Sequence, residues 1–244
     1  INDINTLSFS SPVASLYNPL EYAWEPYEQY LIRYAVPPKK TVFFGMNPGP
    51  WGMGQTGVPF GEVENVKTWL GIEGPVGKPD NEHPSRPVYG FACHRSEVSG
   101  KRVWGLMRRR FGAPETFFHD HFIANYCPLL FFDQNGRNIT PDKLRKEDKK
   151  QLFHVCDRYA AAILEIFSPT SVIGIGKFAY TRVSAVCTDK SYTCPEIENV
   201  ISILHPSPAN PKANKGWAEE VEKTLENAGI WLDESEPPSF SPIA

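Results

Sequence analysis

Nowhere do the 244 residues of this chain approach the run of about 18 apolar residues that a membrane-spanning helix requires. Cysteine is scarce. Cys93, Cys127, Cys156, Cys187 and Cys194 contain no C-x-x-C pair and leave an odd count, which argues against a disulfide framework and for reduced, intracellular thiols. No His, Cys, Asp and Glu set has metal-ligand spacing. The chain also lacks G-x-x-x-x-G-K-[ST], the phosphate-cradling loop, and G-x-S-x-G, the serine-nucleophile elbow. Positive charge is not in excess either, with 25 Lys and Arg against 28 Asp and Glu, so the protein is not coated in cationic surface. The residues from Ile1 onward show no signal-peptide pattern, and neither a repeat nor a low-complexity linker interrupts the chain. One domain over 1–244 is expected, with a Pro/Ser-rich tail at 234–244 that should fray.

What is present is four short apolar runs, Thr41–Met46, His121–Tyr126, Ser171–Ile175 and Val200–Leu204. Rich in Val, Ile and Phe and too continuous to be half-exposed, they suit strands buried on both faces. Helical patterns lie between them. Leu152, Val155, Cys156, Tyr159, Ile163 and Ile166 keep a 3.6-residue period, with Thr140 and Pro141 expected as cap and first-turn residue. Trp217, Val221, Leu225 and Ala228 form a second apolar face, with Asn210 and Pro211 expected to open that helix and Gly229 to stop it. The first 35 or so residues, with Tyr17, Tyr22, Trp24 and Tyr27, read as an aromatic, turn-rich wrap. Strands alternating with helices imply an α/β fold, a four-stranded parallel sheet flanked by helices.

Ligands of such folds bind at the carboxyl ends of the strands. Four loops are selected there: "GMNPGPWGMGQTGVPFG", "NYCPL", "GIGKFA" and "HPSPANP". The first holds Gly52-x-Gly54-x-x-Gly57, a formal dinucleotide fingerprint. Asn47, Pro48 and Pro50 separate it from the strand and Pro59 follows, so a pocket admitting a flat ligand is the better reading. The last loop carries Pro206, Pro208 and Pro211, each fixing φ and removing a donor, so it is stiff and exposed. Asn47, Asn125, His205 and Phe60 should meet in one crevice. Singly, Asn47, Asn125 and His205 each have an ordinary structural explanation, as turn initiator, strand-end cap and loop histidine. Basic residues cluster in Lys101–Arg110, in "GRNITPDKLRKEDKK" and at Lys212 and Lys215; they fit either solvated helix faces or a local nucleic-acid footprint.

The stretches "GMNPGPWGMGQTGVPFG" and "HPSPANPKANKGW" resemble the two signature motifs of the uracil-DNA glycosylase superfamily, most closely its single-strand-selective monofunctional branch. The likeness runs from about Tyr22 to Leu232. It implies an enzyme that flips uracil, 5-hydroxymethyluracil or 5-formyluracil out of single- or double-stranded DNA. Hydrolysis of the N-glycosidic bond would then leave an abasic site. By the same resemblance Asn47 positions the attacking water and His205 stabilises the leaving base. No carboxylate is apparent beside Asn47 to share its work. Phe60 stacks on the base, the Met46 amide binds a pyrimidine oxygen, Asn125 reads the N3 and O4 edge, and the Gly49–Met53 backbone lines the C5 side. Pro206, Ser207, Pro208 and Ala209 form the wedge that fills the vacated stack, with Ala209 standing where the resemblance implies an arginine. Arg137, Lys143, Arg145, Lys146, Lys212 and Lys215 are candidates for phosphate contacts. The four cysteines that an iron–sulfur relative would need are not suitably placed, so no cofactor and no metal are implied. The resemblance further implies a nuclear monomer without membrane attachment. A non-catalytic single-strand DNA binder, using Phe60 as a stacking platform, is the alternative from another class.

Overall fold

The computed structural model describes residues 2–232; the tail expected at 234–244 lies outside them. In chain order the elements begin with α1 (Asn2–Asn5), β1 (Ser15–Tyr17), α2 (Pro19–Tyr22), α3 (Trp24–Tyr34) and β2 (Thr41–Gly45). Then come α4 (Met53–Thr56), α5 (Val63–Thr68), α6 (Val98–Phe111), α7 (Pro114–Asp120), β3 (His121–Asn125), β4 (Leu130–Phe132) and β5 (Asn138–Ile139). The chain closes with α8 (Lys146–Phe167), β6 (Ser171–Ile175), α9 (Lys177–Thr188), β7 (Asn199–Ile203) and α10 (Trp217–Asn227).

All four expected strands form, each within one residue of the apolar run that marked it. They make one parallel sheet in the order β3-β2-β6-β7. Phe43, Phe44, Ile123 and Ile173 are fully buried at its centre. Each such side chain is worth roughly 1.5–3 kcal/mol relative to exposure. Because the strands are parallel and in register, with Gly45 opposite Asn125 and Ile175 opposite Ile203, their carboxyl ends share one edge. The four selected loops leave from that edge.

A second sheet, antiparallel with order β1-β4-β5, was not legible in the sequence. Its strands have two or three residues, too few for an alternation to show. The amino-terminal region also differs from the expected wrap. Tyr27, Tyr30 and Tyr34 recur at helical spacing on α3 and point into the core.

Three further expectations need correction. Thr140 and Pro141 do not open α8: Pro141–Lys143 is a separate 3-10 turn, and extended Leu144 and Arg145 precede Lys146. Burial of Leu144 anchors that break. Ile166 is 61% exposed, and Leu164 and Phe167 take the buried places instead. Nor do Asn210 and Pro211 start α10, which begins at Trp217 after Gly216 at φ 132°. The Asn210 side chain accepts from the Lys212 amide to close a local turn. Trp217, Val221 and Leu225 are buried, and Gly229 adopts φ 66° just past the helix end.

The basic cluster on α6 proves largely structural. Arg109 pairs with Glu222 at 3.0 Å and Arg110 with Glu226 at 2.8 Å, binding α6 to α10. The Arg110 side chain is only 8% exposed.

Candidate active site

A cavity of about 210 Å³ opens at the carboxyl edge of the parallel sheet. It is lined by Met46, Asn47, Pro48, Gly49, Phe60, Asn125, His205 and Ser207, and also by Glu97, Ser99, Asn138 and Thr140. Larger hollows exist; one of about 620 Å³ lies at the opposite, amino-terminal strand ends, between Lys39, Lys40 and Asp120. That hollow holds His119, Tyr34 and Phe118 but no carboxamide among its described residues. Site chemistry therefore follows the strand-end rule rather than cavity size.

The first loop is pinned before it becomes useful. The Met46 carbonyl accepts from the Cys127 amide at 2.9 Å, extending the β2–β3 ladder past its last paired residues. Asn47 follows, and its Nδ2 donates to the Leu129 carbonyl at 3.1 Å. That bond commits the donor end of the carboxamide and leaves Oδ1 as the acceptor available to a cavity water.

Asn125 ends β3, 5% exposed. Its Nδ2 donates to the Met53 sulfur at 3.2 Å, and its Oδ1 is buried without a partner. An orphaned buried acceptor costs about 1–3 kcal/mol, a deficit that a ligand N–H entering the cavity would offset. Phe60 lies against the same side chain, held at φ 53°, a conformation uncommon for a bulky residue. Gly45 makes the pairing possible. A Cβ there would sit 2.3 Å from Asn125 Oδ1 and 2.7 Å from the Phe60 ring.

His205 lines the same cavity. Its Nδ1 accepts from the Ser207 amide at 3.1 Å, which places the proton of the neutral ring on Nε2. Burial holds its pKa below the usual histidine range, so the neutral donor form prevails at neutral pH. The third loop helps by being small: a Cβ at Gly176 would lie 2.9 Å from that of His205.

The stiff loop after His205 has a brace that its sequence did not reveal. Arg102 on α6 donates to the Pro206 carbonyl at 2.8 Å and to Asn214 Oδ1 at 2.8 Å. Asn214 in turn donates to the Pro208 carbonyl at 2.9 Å. Pro208 and Ala209 remain exposed at the tip, and Lys212 and Lys215 are exposed beyond it. With this loop as the wedge that the resemblance implies, the expected result is that Arg102→Ala lowers excision from duplex DNA by about tenfold, ~1.4 kcal/mol. Excision from single strands, where no stack must be entered, should change far less. Equal losses on both substrates in parallel time courses would exclude a role through the wedge.

Of the candidate phosphate contacts, Arg137, Lys143, Arg145 and Lys146 are all exposed. They occupy the segment that supplies Asn138 and Thr140 to the cavity. Lys143 is also engaged with Asp142 at 3.1 Å. Among the described residues the cavity lining holds no lysine; Lys177, Lys212 and Lys215 lie exposed outside it. Glu97 corrects the expectation that no carboxylate lies near Asn47. It and Ser99 had no local signal, because the start of α6 delivers them from a distant part of the chain.

No protein-family model matches the chain. Among curated proteins it is 46% identical over 229 residues to the single-strand selective monofunctional uracil DNA glycosylase of Bos taurus, covering 94% of this chain and 83% of that one. The Mus musculus protein of that name is 44% identical over 228 residues, covering 93% and 80%. A crystal structure of wild-type SMUG2 from Pedobacter heparinus superposes with a TM-score of 0.68 over 94% of this chain and 98% of that chain. At 17% identity that likeness speaks for the fold alone. Identity of 44–46% over 93–94% of this chain carries the assignment: the chain belongs to the single-strand selective monofunctional uracil DNA glycosylase family.

Proposed function

We propose that this protein removes uracil, 5-hydroxymethyluracil and 5-formyluracil from DNA by hydrolysing the N-glycosidic bond, leaving an abasic strand. The observation that carries this reading is the orphaned Asn125 Oδ1, facing Phe60 in a cavity that also holds Asn47 and His205. Uracil N3–H supplies the missing donor, and its O4 takes the Nδ2 proton now resting on a thioether. Cytosine presents the reverse pattern at both positions, and a mismatched bidentate pair costs about 1–3 kcal/mol. A purely binding module would have no use for an imidazole held neutral in the same cavity as an anchored asparagine.

In the reaction, Asn47 Oδ1 holds the attacking water. An amide cannot take a proton at neutral pH, so bond breaking runs ahead of attack and negative charge gathers on the departing base. His205 Nε2–H is aimed at that charge, and a fixed donor needs no reorganisation as the charge develops. Exposed Pro208 and Ala209 enter the stack while the base is out, a step that requires a few kcal/mol of unstacking. Basic residues from Arg137 to Lys146, with Lys212 and Lys215, grip phosphates and set affinity without reading sequence.

A panel of oligonucleotides carrying uracil, 5-hydroxymethyluracil, 5-formyluracil, thymine or cytosine tests the substrate range. Release of the first three and rejection of the last two is expected; excision of thymine at the uracil rate would refute it. Asn125→Asp keeps the shape and replaces the amide donor with a carboxylate oxygen. Uracil excision should fall by at least about tenfold, ~1.4 kcal/mol, with weak cytosine release appearing. Unchanged uracil kinetics would show that Asn125 does not read the base.

A further inference from the structure

Glu97 belongs to none of the roles above, yet it lines the cavity. A Cβ on Gly49 would lie 1.6 Å from its Oε1, and one on Gly52 would lie 2.2 Å from its Oε2. Two glycines of the first loop thus leave room for this carboxylate, which bears directly on the turn between Gly49 and Met53. The direction of that turn follows from Asn125. Its Nδ2, the donor proposed for O4, touches the Met53 sulfur, and on a pyrimidine ring C5 is the neighbour of the carbon bearing O4. The wall facing C5 is therefore this turn together with Glu97.

We infer that Glu97 is a specificity-determining residue, its carboxylate accepting a hydrogen bond from a hydroxyl-bearing substituent at C5 of the flipped base. The inference rests on reading the cavity as a pyrimidine pocket. The surroundings give Glu97 little other support. Glu62, ahead of α5, faces it with like charge and is itself hydrogen-bonded to Asn65 and Ser96. Arg95, nearby in sequence, is turned onto the Trp51 ring at 4.1 Å, and His205 in the same cavity is neutral. With only the Gly100 amide donating to it, a partly buried carboxylate in this setting is left with unsatisfied lone pairs, which is costly. A hydroxymethyl group donates; a methyl group displaces water and returns nothing, which adds to the rejection of thymine. Burial and Glu62 push the Glu97 pKa up to about 7, against the pull of the Gly100 amide. Below that pH the group is a carboxylic acid that can donate to a formyl oxygen; above it, an acceptor only.

The test compares 5-hydroxymethyluracil with uracil in single-turnover excision by the wild type, Glu97→Gln and Glu97→Asp. In both variants the ratio of the two rates should fall by about tenfold or more, whatever change they share. In the wild type, the 5-formyluracil to 5-hydroxymethyluracil ratio should rise as pH falls through about 7, and in Glu97→Gln it should stay flat. A variant that keeps the wild-type ratio, including one that loses both activities in step, overturns the assignment. Failure of the wild type to release uracil at all would instead overturn the pocket reading beneath it.

Discussion

Asn47→Ala should lower single-turnover excision of uracil by at least about a thousandfold, ~4 kcal/mol, while DNA binding stays close to normal. The side chain has one polar end committed to the Leu129 carbonyl and the other free, so on the proposed mechanism its loss leaves the attacking water without its fixed acceptor. Glu97 is the only carboxylate among the described lining residues, and it packs on Gly49 and Gly52, on the C5 side of the proposed base position. It is therefore not placed to take over at the sugar. Near-normal cleavage by Asn47→Ala, measured with enzyme in excess, would remove Asn47 from the chemistry.

His205→Leu should cost about 10²–10³-fold in the same assay, the usual effect of deleting one preorganised donor at a developing negative charge. Leucine fills comparable space against Gly176, so the loss reports the Nε2 proton rather than collapse of the loop. The wild-type rate should hold through neutral pH and fall on the acid side. Burial lowers the imidazole pKa, and protonation of Nδ1 there would break its bond from the Ser207 amide. A loss under tenfold, or a rate that rises on acidification, would make His205 a bystander.

How much of this could be read from the chain depends on the range of each interaction. The four strands were legible because burial on both faces leaves continuous apolar runs, and the site loops followed from where parallel strands end. The three-stranded sheet was hidden by strands shorter than any period, and α3 by aromatic residues that read as turns until Tyr27, Tyr30 and Tyr34 are seen on one face. Helix starts at Lys146 and Trp217 were displaced by buried Leu144 and by Gly216, local details that capping patterns overlook. Glu97 and Arg102 were missed for a different reason. Each acts across a long sequence separation, on Gly49 and on Pro206, so no neighbouring residue announces it. The same holds for Arg109 and Arg110, which fitted either a solvated helix face or a nucleic-acid footprint until Glu222 and Glu226 arrived from α10.

The most direct measurement is incubation of the protein with a uracil-containing oligonucleotide, with a chelator present and borohydride added during turnover. A lysine nucleophile would need to lose its proton near neutral pH and reach the sugar. Lys177, Lys212 and Lys215 are instead exposed outside the cavity. The expected result is free uracil, an intact abasic strand and no covalent adduct. Failure to release uracil would contradict the glycosylase reading, and a borohydride-trapped protein–DNA adduct would contradict water held by Asn47 as the attacking group.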